Sequence, residues 1–250
     1  IYSLPINLHT INQFFKKSFS PSEAEIFIKK QTLKIKNPAN FEEQAMTMVG
    51  EKIYEAFFKS YTEKQWGRDP KNIPASILKR LPLRFNYDDN YFNHPYQGMP
   101  VNGYTEIFEK LLKPKNIKAK LNYPFDKAQP KNYDHTIFSG PLDEYFNFRY
   151  GSLDYRTLDF DQEIHNVYDY QGNAVINYPD ATVPFTRITE HKHFHSRSKN
   201  ESIKKTVIFK EFSREAAIKD EKFYPVRLVD DKSHLRKYVQ EAKKLKGISF

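Results

Sequence analysis

The chain has 250 residues, long enough to bury a full core in more than one layer or lobe. With 28% charged residues, a mean hydropathy of −0.76 and no apolar run near the ~20 residues of a membrane span, it reads as a soluble protein. Zero cysteines exclude disulfides and thiolate metal sites and suit a reducing cytoplasm. The net charge of +9 is spread along the chain and is equally compatible with an anionic small ligand, while no nucleic-acid-binding signature appears among the aromatic and basic residues.

Tyr2–Pro5 reads as extended. Ser20-Pro21-Ser22-Glu23 is a capping box with proline at the first helical position, and Asn40 with Glu43 repeats that signal. Ile53, Ala56, Phe57 and Ser60 share a helical face by their spacing. Pro74 opens a further helix that Pro82 closes. Beyond Tyr91, Gly98, Pro100 and Gly103 punctuate the chain, and Thr105 caps a helix over 106–112. Residues 117–121 alternate like a strand, and 135–138 read as a short buried strand. That strand ends in Ser139-Gly140-Pro141 and leads into a helix over 142–148.

From Leu153 to Phe212 the period switches to two, the mark of an antiparallel sheet. A last helix runs through Leu235, Tyr238, Val239, Ala242 and Leu245 and stops at Gly247, before a strand beginning at Ile248. The fold class is α/β in a mixed α+β arrangement. Its expected pieces are a helical subdomain over 1–92, part of an α/β domain over 93–150, an antiparallel sheet over 151–229, and a returning helix and strand over 230–250. No secretory leader is visible. Ile1 at the start and a strand just beginning at Phe250 read as an internal piece of a longer protein.

The chemistry concentrates between Phe57 and Tyr91. The sole tryptophan, Trp66, stands there with Phe57, Tyr61, Thr62, Arg68, Arg80, Arg84, Tyr87 and Tyr91 around a Gly-Arg-Asp-Pro-Lys-Asn segment. Aromatic faces can stack on a base and arginine forks can grip phosphate oxygens, which points to a nucleotide-like ligand. The same residues also suit a helical hairpin with its aromatics in a core and its arginines in water. The Gly67–Ile73 segment suits a lid. Strand–turn–helix at Ser139-Gly140-Pro141 can bring backbone N–H groups to a phosphate, or can be an ordinary helix start. His191, His193 and His195 would share one face of a strand. Lys192 among them and the lack of a second ligand cluster argue against a metal, and none is expected. Asp88-Asp89 reads as turn chemistry, not as a catalytic carboxylate pair.

The wording of several stretches is more specific. Y-T-E-K-Q-W-G, I-L-K-R-L-P-L-R-F and N-Y-F in the clamp region are joined by L-P-I-N near the start and E-E-Q-A at 42–45. Further along come Y-Q-G-M-P-V-N-G-Y-T, F-S-G-P-L-D-E-Y-F, Q-G-N-A-V-I-N-Y, T-R-I-T-E-H-K-H-F and F-Y-P-V. In this order they resemble the bacterial UDP-galactopyranose mutases across nearly the whole chain. The resemblance implies a partial Rossmann-like FAD domain with an inserted helical domain and an antiparallel sheet. It implies a reaction without net redox, interconverting UDP-galactopyranose and UDP-galactofuranose through an adduct between reduced-flavin N5 and the sugar, for galactofuranose-containing cell-surface glycans. By the same resemblance Phe57, Tyr61 and Thr62 hold the uridine end and Trp66 lies on the loop near the sugar. Arg80 and Arg187 hold the diphosphate as the catalytic cations, Tyr91 and Tyr224 donate to the phosphates, and Asn177 lies beside the substrate.

Ser139, Gly140 and Pro141 are what remains of the FAD site, since neither the family's glycine-rich fingerprint nor its G-G-R-L block is in this chain. The implied partner is UDP-galactose, with no nucleic acid and no membrane, in a cytoplasmic homodimer. A non-catalytic nucleotide-sugar-binding fragment or decayed paralogue is the alternative, and a basic nucleic-acid-binding module is a lesser one.

Overall fold

The computed structural model describes residues 1–79, 81–127, 132–195, 204–226 and 232–250. The chain forms two compact units, one of Ile1–Gln97 with Tyr155–Val229 and one of Gly98–Asp154 with Asp230–Phe250. The helical stretch and the antiparallel sheet thus fall in the same unit.

That first unit begins with α1 (Leu8–Phe15), α2 (Pro21–Gln31) and α3 (Phe41–Met48). Each starts where a side chain satisfies an otherwise unpaired helix N–H. The Ser20 hydroxyl accepts from Glu23 N while the Glu23 carboxylate accepts from Ser20 N at 2.8 Å, closing the reciprocal box. Asn40 accepts from Glu43 N at 2.9 Å, and the Glu43 carboxylate accepts from Ala39 N at 2.8 Å. Leu8, Ile11, Ala24, Ile28, Phe41, Ala45 and Ile53 make a closed apolar core between these helices. A long helical run follows Gly50: α4 (Glu51–Ile53), a π-helical segment (Tyr54–Lys59) and α5 (Ser60–Trp66). Tyr54 is fully buried at the α4–π junction and donates its hydroxyl to Glu42 at 3.0 Å. Gly67 ends α5 in the left-handed region, φ 64°. The helix after Pro74 is short, α6 (Ser76–Lys79).

Against these helices stands a five-stranded antiparallel sheet of β2 (Tyr155–His165), β3 (Val175–Asn177), β4 (Arg187–Glu190), β5 (Thr206–Glu215) and β6 (Tyr224–Pro225), in the order β3-β4-β5-β2-β6. The long pair β2–β5 runs in register from Arg156↔Glu215 to His165↔Thr206. Two further register pairs bear on the site: Asn177↔Arg187 between β3 and β4, and Arg187↔Glu211 between β4 and β5.

The second unit pairs β1 (Thr136–Ile137) in parallel with β7 (Ile248–Ser249), and carries α7 (Thr105–Leu111), α8 (Leu142–Tyr145) and α9 (Lys232–Ala242). Tyr238 is its fully buried centre: its hydroxyl donates to Gly151 O at 2.6 Å and accepts from Tyr150 N at 2.9 Å. Among the described residues no helix is long and apolar enough to cross a membrane.

Several expectations are corrected. Residues 117–121 are exposed throughout and form no strand, because alternation without a pairing partner does not hold a strand in water. The stretch expected to be extended over Tyr2–Pro5 bends at Leu4 and Pro5. Thr105 is the first residue inside α7 and caps nothing, since Tyr104 holds the cap position. Ile137 on β1 is 80% exposed, not buried. The helix begun at Leu142 ends at Tyr145, and Asn147 and Phe148 go on to adopt positive φ of 52° and 54°. His191–Phe194 is one turn of 3₁₀ helix, so the three histidines do not share a strand face.

Candidate functional site

The site grows from α5 and the strand edge facing it. Three-and-four spacing puts Tyr61 and Gln65 a turn apart on α5, toward the sheet. Tyr61 accepts from Arg187 Nη2 at 2.7 Å. Arg187 is the first residue of β4, and its Nε lies 3.2 Å from the Glu211 carboxylate across the β4–β5 register, though the N–H is not aimed along that line. Thr186 donates its hydroxyl to the same carboxylate at 3.1 Å and its N–H to Glu211 O at 2.8 Å. Burial pushes the Tyr61 phenol above its ordinary range, with Arg187 opposing. For Arg187 burial disfavours the charge, but Tyr61, Glu211 and Tyr224 outweigh it and its pKa rises. It therefore stays a cation, with its side chain 29% exposed.

Trp66 is the last residue of α5, not a loop residue, and its ring lies 6.5 Å from that of Tyr224 on β6. The turn after it is held from beneath. Arg156 on β2 donates Nε to Gln65 O and to Ser213 Oγ, both at 3.2 Å, and Ser213 donates to Gln65 O at 2.6 Å. A Cβ on Gly67 would stand 2.6 Å from Arg156 Nη1 and would have to displace that guanidinium, while the positive φ itself favours glycine. Beyond it, Asp69 caps a 3₁₀ turn over Pro70–Asn72 by accepting from Lys71 N at 2.8 Å.

The structure therefore brings Tyr61, Arg187, Trp66 and Tyr224 together, with Asn177 exposed beside Arg187 at the end of β3. Phe57 sits in the π segment, edge-on to Tyr2 at 5.1 Å and to Phe14 at 5.2 Å. Thr62 is only 3% exposed, so its side chain packs inward. Tyr91 is 48% exposed, and among the described residues no hydrogen bond or ring contact ties it to Tyr61, Trp66 or Arg187. Its loop is organised by Arg84, which donates to Asp88 O at 3.3 Å, Phe92 O at 3.3 Å and Asn93 Oδ1 at 2.7 Å, and also to Asn90 O. Arg80 and Arg197 lie outside the described residues.

In the second unit Ser139 and Gly140 are exposed between β1 and α8, followed by Pro141 at the helix start. Gly140 leaves the room that Phe138 occupies, since a Cβ there would meet its ring at 2.5 Å. A small, open turn of this kind can line the edge of a flat cofactor.

Sequence reading missed Glu211 and Glu190. Glu211 follows Lys210 at the end of the apolar run of β5, and a carboxylate opposite an arginine in a strand pair was its available signal. Glu190, fully buried, accepts from Tyr170 N at 3.1 Å, Gln171 N at 3.0 Å and Thr206 Oγ1 at 2.5 Å. With Asp169 and His193 it forms a group of metal-ligand type. Lys192, 3.7 Å from Glu190, already sets a cation beside it, and the carboxylate's hydrogen bonds anchor the 168–173 turn.

A family model described as UDP-galactopyranose mutase matches residues 56–250. Over its whole length the chain is 50% identical to a probable UDP-galactopyranose mutase of Klebsiella pneumoniae, of which it spans 64%. It is likewise 48% identical to a dTDP-fucopyranose mutase of Escherichia coli, of which it spans 67%. The crystal structure of a reduced UDP-galactopyranose mutase shares its fold, with a TM-score of 0.61 at 16% identity, covering 89% of this chain and 63% of that one.

Proposed function

The chain belongs to the UDP-galactopyranose mutase family, and on that premise we propose that it forms the substrate-binding part of a cytoplasmic, homodimeric isomerase interconverting UDP-galactopyranose and UDP-galactofuranose for cell-surface glycans. The observation that carries this reading is the Tyr61–Arg187–Glu211 contact, an arginine kept charged and partly open between a substrate-motif helix and the sheet.

In this reading Arg187 receives the diphosphate. Glu211 and Tyr61 fix its guanidinium before the ligand arrives, so little ordering is left to be done on binding. As UDP separates from the sugar its diphosphate gains charge, and the hydrogen bonds from Arg187 strengthen at that moment. Arg80 is assigned the second cation. Trp66 and Tyr224 flank the sugar–phosphate end, and Asn177 stands next to Arg187. Phe57, Tyr61 and Thr62 are assigned to the uridine end, with inward-packed Thr62 acting through the helix it fixes. Tyr91 donates to a phosphate once its loop lies over the ligand.

Ser139, Gly140 and Pro141 fit the edge of FAD, since Ser139 and Gly140 are small and exposed and Pro141, half-buried, stands at a helix start. Reduced FAD, when bound, supplies the nucleophile for the anomeric carbon. The chain's own residues then hold the departing UDP within reach for its return.

A second substrate has specific support: the identity to the dTDP-fucopyranose mutase is nearly that to the UDP-galactopyranose mutase. The test is the product of the complete reading frame, purified with FAD, reduced with dithionite and given UDP-galactofuranose or dTDP-fucofuranose in turn. Conversion of the UDP sugar at the higher kcat/KM is the expected result. Preference for the dTDP sugar would move the assignment to the second substrate, and UDP binding without turnover of either would make it a nucleotide-sugar-binding protein.

A further inference from the structure

Lys64 lies on α5, one turn beyond Tyr61, and does not point at the candidate ligand. Its ammonium instead enters the loop between β3 and β4. Nζ donates to Tyr178 O at 2.6 Å, Asp180 O at 2.9 Å, Val183 O at 2.9 Å and Phe185 O at 3.1 Å. An ammonium has three N–H donors, so four acceptors at these distances surround it as a coordination shell does, sharing its hydrogens. The loop is shaped to make that shell. Tyr178 N donates to Thr186 O at 2.9 Å and closes its neck. The Tyr178 and Phe185 rings meet edge-on at 4.8 Å. Asp180 turns its carboxylate away to Thr182 N and Thr182 Oγ1, at 2.9 and 2.8 Å, and so leaves its carbonyl to the lysine. Burial lowers the pKa of Lys64, and Asp180 opposes that shift.

Four carbonyl dipoles converging on one point repel one another unless a cation fills the centre, the arrangement that replaces the hydration shell of a monovalent ion. The loop has Asn177 directly before it and Arg187 just after it, while the filling charge comes from the helix that bears Tyr61 and Trp66.

We propose that Lys64 is a positioning residue for the nucleotide-sugar site: the β3–β4 loop is a monovalent-cation cage, and the ammonium that fills it from α5 fixes Asn177 and Arg187 against Tyr61. The positioning role rests on the function proposed above; the cage does not. Lys64→Ala empties the cage and leaves a channel that a free alkylammonium ion can enter. Lys64→Met fills the channel without a charge.

The experiment compares the complete protein with its Lys64→Ala and Lys64→Met variants, with and without n-propylammonium chloride, using tetramethylammonium chloride at equal ionic strength as the control. Thermal unfolding and UDP affinity by calorimetry are read for each. Both variants are expected to unfold earlier and to bind UDP roughly tenfold or more weakly, the scale of misplacing one charged contact. Propylammonium should raise the unfolding temperature and recover UDP affinity in Lys64→Ala, and should do neither in Lys64→Met or the parent. Unchanged UDP affinity in Lys64→Ala, or rescue equally by tetramethylammonium, overturns the proposal. A parent that binds no UDP, with a Lys64→Ala variant still stabilised by propylammonium, would overturn the functional reading and the positioning role while leaving the cage in place.

Discussion

Two arginines reach the same helix from the same sheet, and they do different work. Arg156 on β2 is 7% exposed and ends on Gln65 O and Ser213 Oγ. Burial lowers its pKa, Glu215 resists and Arg68 adds to the fall. Arg187 on β4 is half-buried, yet its pKa moves the other way because Tyr61, Glu211 and Tyr224 overcome the burial. Arg156 props the C-terminal end of α5, where carbonyls lack helical partners. Arg187 is set by a carboxylate and a phenol and stays partly exposed, which on the function proposed above leaves it an edge for an anion. Burial alone does not distinguish a structural from a ligand-binding arginine; the partners at the end of the fork do.

The strongest way to break that contrast is to remove Arg187. In the complete, reduced protein Arg187→Ala should lower kcat by about two orders of magnitude, the loss of one transition-state donor. Arg187→Lys should keep part of the rate, since charge survives and the fork does not. Turnover left intact by Arg187→Ala would remove it from the site.

Arg156→Ala should instead appear as lost stability, about 2–3 kcal/mol in denaturant unfolding, because polar groups buried under α5 lose a charged partner. UDP affinity of the folded fraction should stay within about threefold. A large loss of affinity at unchanged stability would reverse the roles of the two arginines.

Gly67→Ala sharpens the same point from the helix side and should cost about 1–2 kcal/mol for the left-handed backbone alone. The added Cβ also presses on Arg156 Nη1. In a double-mutant cycle Gly67→Ala and Arg156→Ala should therefore be less than additive in unfolding free energy.

The smallest effect belongs to Tyr61→Phe. It removes the 2.7 Å hydrogen bond to Arg187 while Glu211 stays. UDP affinity should fall about fivefold, near 1 kcal/mol. No change at all in a titration followed by calorimetry would mean the phenol only fills space.

What could be read from the chain beforehand was local or repetitive. The Ser20 and Asn40 caps follow from short-range chemistry, and the antiparallel sheet follows from the period-two pattern after Leu153. The ordered motifs around Trp66 and Arg187 pointed to the family. What could not be read depends on partners distant in sequence. Arg156 and Arg187 look alike as Y-R-T and T-R-I, and only Gln65 and Glu211 tell them apart. Residues 117–121 alternate as well as any strand but found nothing to pair with among the described residues. Lys64 reads as one more surface lysine, because its acceptors are backbone oxygens that leave no trace in side-chain identity. Thr62 belongs to the most specific motif of all, yet motif membership does not say which side of a helix faces inward.

The wide turn at Tyr54–Lys59 has a consequence for chain length. A π turn closes each hydrogen-bonded ring around one more residue than an α turn does. It therefore absorbs an inserted residue without rotating the helix on either side. Loss of a single codon between Ile53 and Ser60 would let the ladder return to α geometry, with Ile53 still in the core and Tyr61 still facing the sheet. Only the residues inside the bulge would be re-aimed, Phe57 first among them. On the function proposed above, which assigns Phe57 to the uridine end, insertions and deletions at this spot would re-aim that ring while leaving the Tyr61–Arg187 contact in place, and reading-frame length here would become a lever on base preference.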